Sequence, residues 1–319
     1  MNLLNDLFSK ATSAPEKKTE LVKIPENFVV PEPRPLTITR PSTIPSILKS
    51  SLALAARLGT SAFVLGWKID TLFADNDNTQ SYALSLGPFN IRDSSSVLKD
   101  APRPNKPLIL YEYDASPYCK RVREMINLLD LNVEYRPCPG ARQGYFSQEL
   151  YERTGRRTVP YLIDENTGVE MFESSDQIEY LLKTYGPTDT ESYDRKALWP
   201  ITFEGFSLAT STAVAILLNM PGARKQENAL ATNEKMKPLE LWGYECSPFV
   251  RPVREKLSSL CLPHVMVSCS RGSANRNKLI EKTGVKFQVP FLVDPNTGVE
   301  LFESPEIVDY LEAVYTEKA

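Results

Sequence analysis

Ser116-Pro117-Tyr118-Cys119 has the spacing of a dithiol motif, Cys-x-x-Cys, with a hydroxyl in place of the first sulfur. In thiol–disulfide exchange the attacking sulfur sits at the start of a helix, where free N–H groups and the positive end of the dipole lower its pKa. Ser116 occupies that position, so a two-sulfur cycle is unavailable. Three uses remain for the motif. Ser116 donates a hydrogen bond that activates a thiol carried by a ligand; Cys119 works as a lone sulfur; or Ser116 only caps its helix.

The motif is written twice. Leu241-Trp242-Gly243-Tyr244-Glu245-Cys246-Ser247-Pro248-Phe249-Val250-Arg251-Pro252-Val253-Arg254-Glu255 overlays the segment ending Arg123-Glu124 at an offset of 131, the self-similarity expected of a duplicated unit. Val159-Pro160-Tyr161-Leu162-Ile163-Asp164 then matches Val289-Pro290-Phe291-Leu292-Val293-Asp294 at an offset of 130, and Asn166 to Ser174 matches Asn296 to Ser304. Cys138 overlays Cys269. In the second copy Val250 replaces Cys119, and the nearest sulfur is Cys246, one residue before Ser247.

The positioning elements follow from periodicity. Residues 107–112 are an apolar run before the Ser-Pro turn, read as a buried strand, and Tyr118 to Leu131 carries Val122, Met125, Ile126 and Leu129 at helical spacing. A strand at 133–136 and a polar helix up to Arg153 follow. Strands at 161–163 and 169–172 flank an Asn-Thr-Gly turn, and a last helix from Ser174 to Tyr185 opens on a side chain suited to N-capping. Each copy therefore reads βαβαββα, an α/β unit with a mixed sheet and helices on both faces.

This order, with the Ser-Pro-aromatic turn, the Val-Pro before the hairpin and the Glu-Ser at the last helix, resembles the thioredoxin-like N-terminal domain of glutaredoxins and glutathione transferases. The tandem is similar to plant and algal plastid proteins with two such domains, related to the prostaglandin E synthase type 2 branch. The resemblance implies glutathione as ligand or co-substrate and a plastid location. It implies that Ser116 and Ser247 activate the glutathione thiol, and that Pro160 and Pro290 are cis. Val159 and Val289 then pair with the peptide backbone, while Glu173, Ser174, Glu303 and Ser304 hold its γ-glutamyl end. Turnover is left open. A second reading, of another class, is a non-catalytic scaffold or subunit of a complex, membrane-associated or not. A third is glutaredoxin-like chemistry at Cys119 or Cys246.

Composition bounds the rest. With 319 residues, 42% hydrophobic and 24% charged, and a net charge of −3, the chain has room for two domains and no basic excess for nucleic acid. Five scattered Cys and a single His, His264, form no disulfide framework and no metal-ligand pattern. Residues 1–49 read as a Pro-rich extended arm, 50–105 as an apolar helix and loop, 106–186 and 237–319 as the two copies, and 187–236 as a linker with an apolar helix. No secretory signal is expected at the start, nor the family's all-helical domain after the second copy. Arg57 interrupts the apolar segment near residue 50 and Ser and Thr interrupt the one near residue 210, so neither meets the pattern of a spanning helix. Both read as packing helices, with the arm and these helices as the expected contacts for a protein partner or a membrane surface.

Overall fold

The computed structural model describes residues 22–73, 82–188 and 194–317. In each copy the expected order is present. The first runs β4 (Leu108–Glu112), α2 (Pro117–Leu128), β5 (Val133–Pro137), α3 (Tyr145–Thr154), β6 (Tyr161–Asp164), β7 (Val169–Met171) and α4 (Ser174–Tyr185). The second runs β8 (Leu239–Gly243), α7 (Val250–Ser259), β9 (His264–Ser268), α8 (Asn275–Thr283), β10 (Phe291–Asp294), β11 (Val299–Phe302) and α9 (Ser304–Tyr315). Alternation along β4 explains the layering: Leu108 and Leu110 face the main core with α2, whereas Ile109 and Tyr111 face a smaller cluster with Phe146 and Leu150 of α3.

Two segments outside the copies depart from the expectations. The helix read from residue 50 starts earlier, as α1 (Ile44–Ala56). The loop expected before residue 105 contains a three-stranded antiparallel sheet of β1 (Trp67–Phe73), β2 (Ala83–Leu86) and β3 (Phe89–Ser95), in the order β1-β3-β2. Gly87, at φ 60°, makes the turn between β2 and β3, and the alternation in Trp67-Lys68-Ile69-Asp70 is the strand signal that the reading passed over. The linker holds two helices, α5 (Trp199–Thr202) and α6 (Glu204–Leu217). Among the described residues no single helix is long and apolar enough to cross a membrane; residues 195–202 and 204–217 pass that test only as a pair bent by 49°. Residues 1–21 of the arm lie outside the described residues.

Arg57 shows why the apolar segment carries a charge. Its guanidinium is buried against Glu124 of α2 (Nε to Oε1, 3.0 Å) and also donates to the hydroxyl of Thr210 and the carbonyl of Pro200. One arginine thus ties α1, α5 and α6 to the first copy.

The two copies share one eight-stranded sheet, β11-β10-β8-β9-β5-β4-β6-β7. Its centre is the antiparallel pair β5–β9, in which Val133, Glu134 and Tyr135 face Met266, Val265 and His264. At the repeat offset of 131, Glu134 and Val265 are equivalent positions, so a local two-fold axis passes between them. This pairing removes the exposed edge that each copy would otherwise present.

Beneath that axis the copies exchange charges crosswise. Arg123 of the first copy donates from Nε to Glu245 of the second (3.0 Å), and Arg254 of the second donates from Nε to Asp114 of the first (2.8 Å). Asp114 with Glu245, and Arg123 with Arg254, are equivalent pairs in the repeat. Arg254 also bonds Glu245, Arg123 also bonds Glu112, and Lys120 reaches Glu245 at 3.1 Å, all of them buried. Burial alone would raise the Asp114 carboxyl; Arg254, then Arg123 and Arg251, outweigh it and hold the group well below the usual carboxylate range.

The repeated Asp-x-Asn-Thr-Gly segment proves structural. In the first copy the hydroxyls of Tyr180 and Tyr185 donate to Asp164 Oδ2 at 2.6 and 2.5 Å, and in the second those of Tyr310 and Tyr315 donate to Asp294 Oδ2 at 2.6 and 2.7 Å. Each pair fastens the last helix to the hairpin turn.

His264, on the sheet axis, is fully buried beside the Tyr135 ring (5.3 Å), with Nδ1 on the Leu262 carbonyl. Burial pushes its pKa down to about 4. Because the unfolded ring titrates near 6.5, the unfolded chain takes up the proton first, and stability present above about pH 6.5 is lost as pH falls toward 4. Urea unfolding at pH 7.5 and 4.5 is expected to show wild type losing about 2–3 kcal/mol more than His264→Val, which carries the residue found at the equivalent Val133. Equal losses would refute a neutral buried ring.

Candidate functional site

The second copy carries an open cavity of about 580 Å³, within the range of about 300–1,000 Å³ typical of small-molecule sites. Three of the repeated motifs meet there: Pro248-Phe249 from the Ser-Pro turn, Val289-Pro290 ahead of β10, and Glu303-Ser304 at the start of α9. The Val289–Pro290 peptide is cis, as is Val159–Pro160 in the first copy. The ladder of β10 begins at Phe291, so Val289 stands ahead of it.

The far wall comes from the arm, through Arg34, Leu36 to Arg40, Ser42 and Thr43, and from Ser46 and Ile47 in the first turn of α1. The Arg34 N–H donates to Glu303 Oε1 (2.9 Å), which also accepts from Gln288 Nε2 (2.6 Å). Burial raises the Glu303 carboxyl, and these two donors only partly offset it. Arg40 reaches Glu306 (3.0 Å) and Asp309 (2.6 Å) on α9, a half-exposed pairing that seats the arm more than it stabilises the fold.

Glu303 has φ 72° and Glu173 φ 63°, backbone conformations that a side-chain-bearing residue adopts at a cost and that cluster at functional sites. Each is the residue before the last helix. Ser174 and Ser304 are the first residues of α4 and α9, with Glu173 and Glu303 in the capping position and no side-chain cap made. The expected N-cap role of Ser174 is therefore replaced: its hydroxyl is taken by a neighbouring arginine.

That arginine closes the first copy. Arg121 is 1% exposed; its Nη1 donates to the hydroxyls of Ser174 (3.1 Å) and Ser175 (3.2 Å), and its Nε donates to the Ile201 carbonyl of α5. Ser175 in turn donates to Glu204 of α6 (3.2 Å), and α6 packs along α2. At the position equivalent to Arg121 the second copy has Pro252, which leaves the start of α9 free to line the cavity.

Both motif serines are buried. Ser116 accepts from the Cys119 N–H (3.2 Å) and Ser247 from the Val250 N–H (3.3 Å), and Ser247 does not line the cavity although Pro248 and Phe249 do. Burial, reinforced by Glu112, pushes the Cys119 thiol up to about 12, and burial pushes Cys246 up to about 12 as well. Neither sulfur is a thiolate near neutral pH, which sets the structure against lone-sulfur chemistry at either position.

Val289, Pro290, Glu303 and Ser304 are thus brought together on a cavity, while in the first copy Ser174 is engaged by Arg121. The reading of the sequence missed Gln288, Phe287, Pro252 and the arm residues. Pro252 had a signal: it is where the overlaid motifs differ, Arg121 against Pro252.

Comparison with known proteins follows the same division. Residues 110–189 and 241–319 each match the family model of the glutathione S-transferase N-terminal domain. Among solved structures, a Bombyx mori glutathione transferase matches at 15% identity with a TM-score of 0.24, covering 49% of this chain and 78% of that one. A trimeric glutathione transferase of Leishmania matches at 15% identity with a TM-score of 0.23, covering 67% and 68%. No curated protein matches the chain.

Proposed function

We propose that this chain, which carries two domains of the glutathione S-transferase N-terminal type, binds glutathione at the second copy and uses the first as a closed structural partner. The observation that carries the reading is the contrast between equivalent serines: Ser304 lines an open cavity, and Ser174 holds Arg121. In the second copy, the backbone at Val289 pairs with the cysteinyl unit as an added strand, and the start of α9 with Ser304 receives the γ-glutamyl carboxylate. Pro305 lacks an N–H, so the Ser304 hydroxyl and amide do most of that work.

Ser247 accepts from the Val250 N–H and keeps its own O–H proton to donate, but it does not line the cavity, so activation of the thiol requires the ligand sulfur to reach past Pro248 and Phe249 to it. Binding therefore stands ahead of turnover, and the buried Cys119 and Cys246 weigh against a glutaredoxin-like cycle. Plastid location and kinship with the prostaglandin E synthase type 2 branch rest on the resemblance of the tandem arrangement; the position of a tagged chain in plant cells tests the first.

Calorimetric titration with glutathione is expected to give saturable heat. Ser304→Ala is expected to weaken binding about 10-fold, the value of a hydrogen bond to a charged group, and Ser174→Ala is expected to leave it unchanged. Absence of heat up to millimolar glutathione would leave the scaffold reading in its place.

A further inference from the structure

We infer that the outward faces of α1 and α6 form a surface that rests on an anionic lipid bilayer. The two helices are neighbours, and their polarity is turned inside out. Within them no buried side chain is larger than valine: Ser50 and Ala53 on α1, and Ser207, Ser211, Val214 and Ala215 on α6. The large apolar side chains stand outside. Ile44, Leu48 and Leu52 follow at intervals of four along α1, with Leu48 59% and Leu52 60% exposed. Ala209, Ala213 and Ile216 make the exposed stripe of α6, with Ile216 at 65%. A helix facing water ordinarily buries its apolar stripe and shows the polar one. Helices in contact with lipid do the reverse, packing through small residues and serine, because hydrocarbon outside them is no worse a neighbour for leucine than protein is.

Charge and length decide what covers this face. Lys49, exposed, is the one charged residue of α1, and the one acid of α6, Glu204, is turned to Ser175 and Arg121 of the first copy. An apolar face with a cation at its edge and no carboxylate suits a layer of anionic headgroups. A protein partner would need about one hydrogen bond per 100–200 Å² of contact, and beyond Glu204 the exposed positions of α6 offer a single polar side chain, Thr212. At 13 and 14 residues, α1 and α6 are each shorter than the roughly 20 residues of a bilayer span, so they lie along the surface rather than cross it. Phe203, 61% exposed, stands at the bend between α5 and α6, and the exposed Trp199 stacks on Phe206 (4.6 Å), aromatic rings of the kind that settle at headgroup level.

This contact is independent of glutathione binding, and protein-free vesicles test it. The full chain is expected to float in a density gradient with vesicles of equal parts phosphatidylcholine and phosphatidylglycerol. Leu52→Asp combined with Ile216→Asp is expected to weaken vesicle binding at least about 10-fold, through two apolar contacts replaced by charges facing anionic lipid. Lys49→Gln is expected to weaken it about 5-fold on these vesicles and to change nothing on phosphatidylcholine alone. Leu84→Ser, equally exposed but on the three-stranded sheet, is expected to float as wild type does. Should the double change disturb folding, Lys49→Gln still reads the surface. Absence of flotation, flotation indifferent to both sets of changes at this face, or an equal loss in Leu84→Ser overturns the inference. So does a dimer, seen by sedimentation without vesicles, that Leu52→Asp with Ile216→Asp converts to monomer, since a second copy would then cover the face.

Discussion

Replacing Glu245 by Ala is expected to lower stability by about 3–5 kcal/mol, the cost of breaking a buried ion pair by removing one partner. Glu245 accepts from Lys120, Arg123 and Arg254 at once. Its loss leaves three buried cations with Asp114, Glu112 and Glu124 to share. The damage is expected in both copies together, because Arg123 and Arg254 belong to different copies. Urea unfolding followed by fluorescence and by circular dichroism therefore gives coincident transitions at lower denaturant. A transition confined to the second copy would show that the crosswise pairs do not couple the domains. Exposed pairs such as Lys106–Glu165 are expected to contribute less than about 1 kcal/mol by the same measurement.

Pro252→Arg is expected to abolish most glutathione binding, by about 10- to 150-fold, as the loss of one hydrogen bond to a charged group implies. The new side chain stands where Arg121 stands in the first copy, within the first turn of α7, where replacing proline costs the helix nothing. Its guanidinium reaches the Ser304 hydroxyl as Arg121 reaches Ser174, and fills the cavity wall. Pro252→Ala opens no such contact and is expected to bind as wild type does. Calorimetry distinguishes them, and equal affinities for the two variants would dissociate closure of the first copy from Arg121. The converse change, Arg121→Pro, is not expected to open the first copy, because α5 and α6 still cover it.

The duplication and the order of elements in each copy were legible in the residues, while the meeting of Val-Pro with Glu-Ser was implied by the family resemblance and is seen on the cavity of the second copy. Short-range chemistry decides the first two: helical spacing along Val122, Met125 and Ile126, the Asn-Thr-Gly turns, and Pro in the two positions that the structure shows as cis. The three-stranded sheet before the first copy was missed because short alternating strands give a weak local signal next to the apolar run of α1. The arm was legible as extended but not as a wall, since where an extended segment lies depends on contacts such as Arg34 to Glu303, 269 residues apart.

By itself the sequence established two similar α/β units and the residue types that could meet in each. Which unit carries the open cavity was decided by tertiary structure alone. A single difference between the repeats, Arg121 against Pro252, acquires its meaning only when α5 supplies the Ile201 carbonyl and α4 supplies Ser174 to hold the guanidinium. The same holds for Arg123 and Arg254, repeated in plain view: a charge can be buried only where opposite charges converge from distant parts of the chain, and the pairing of β5 with β9 brings them there.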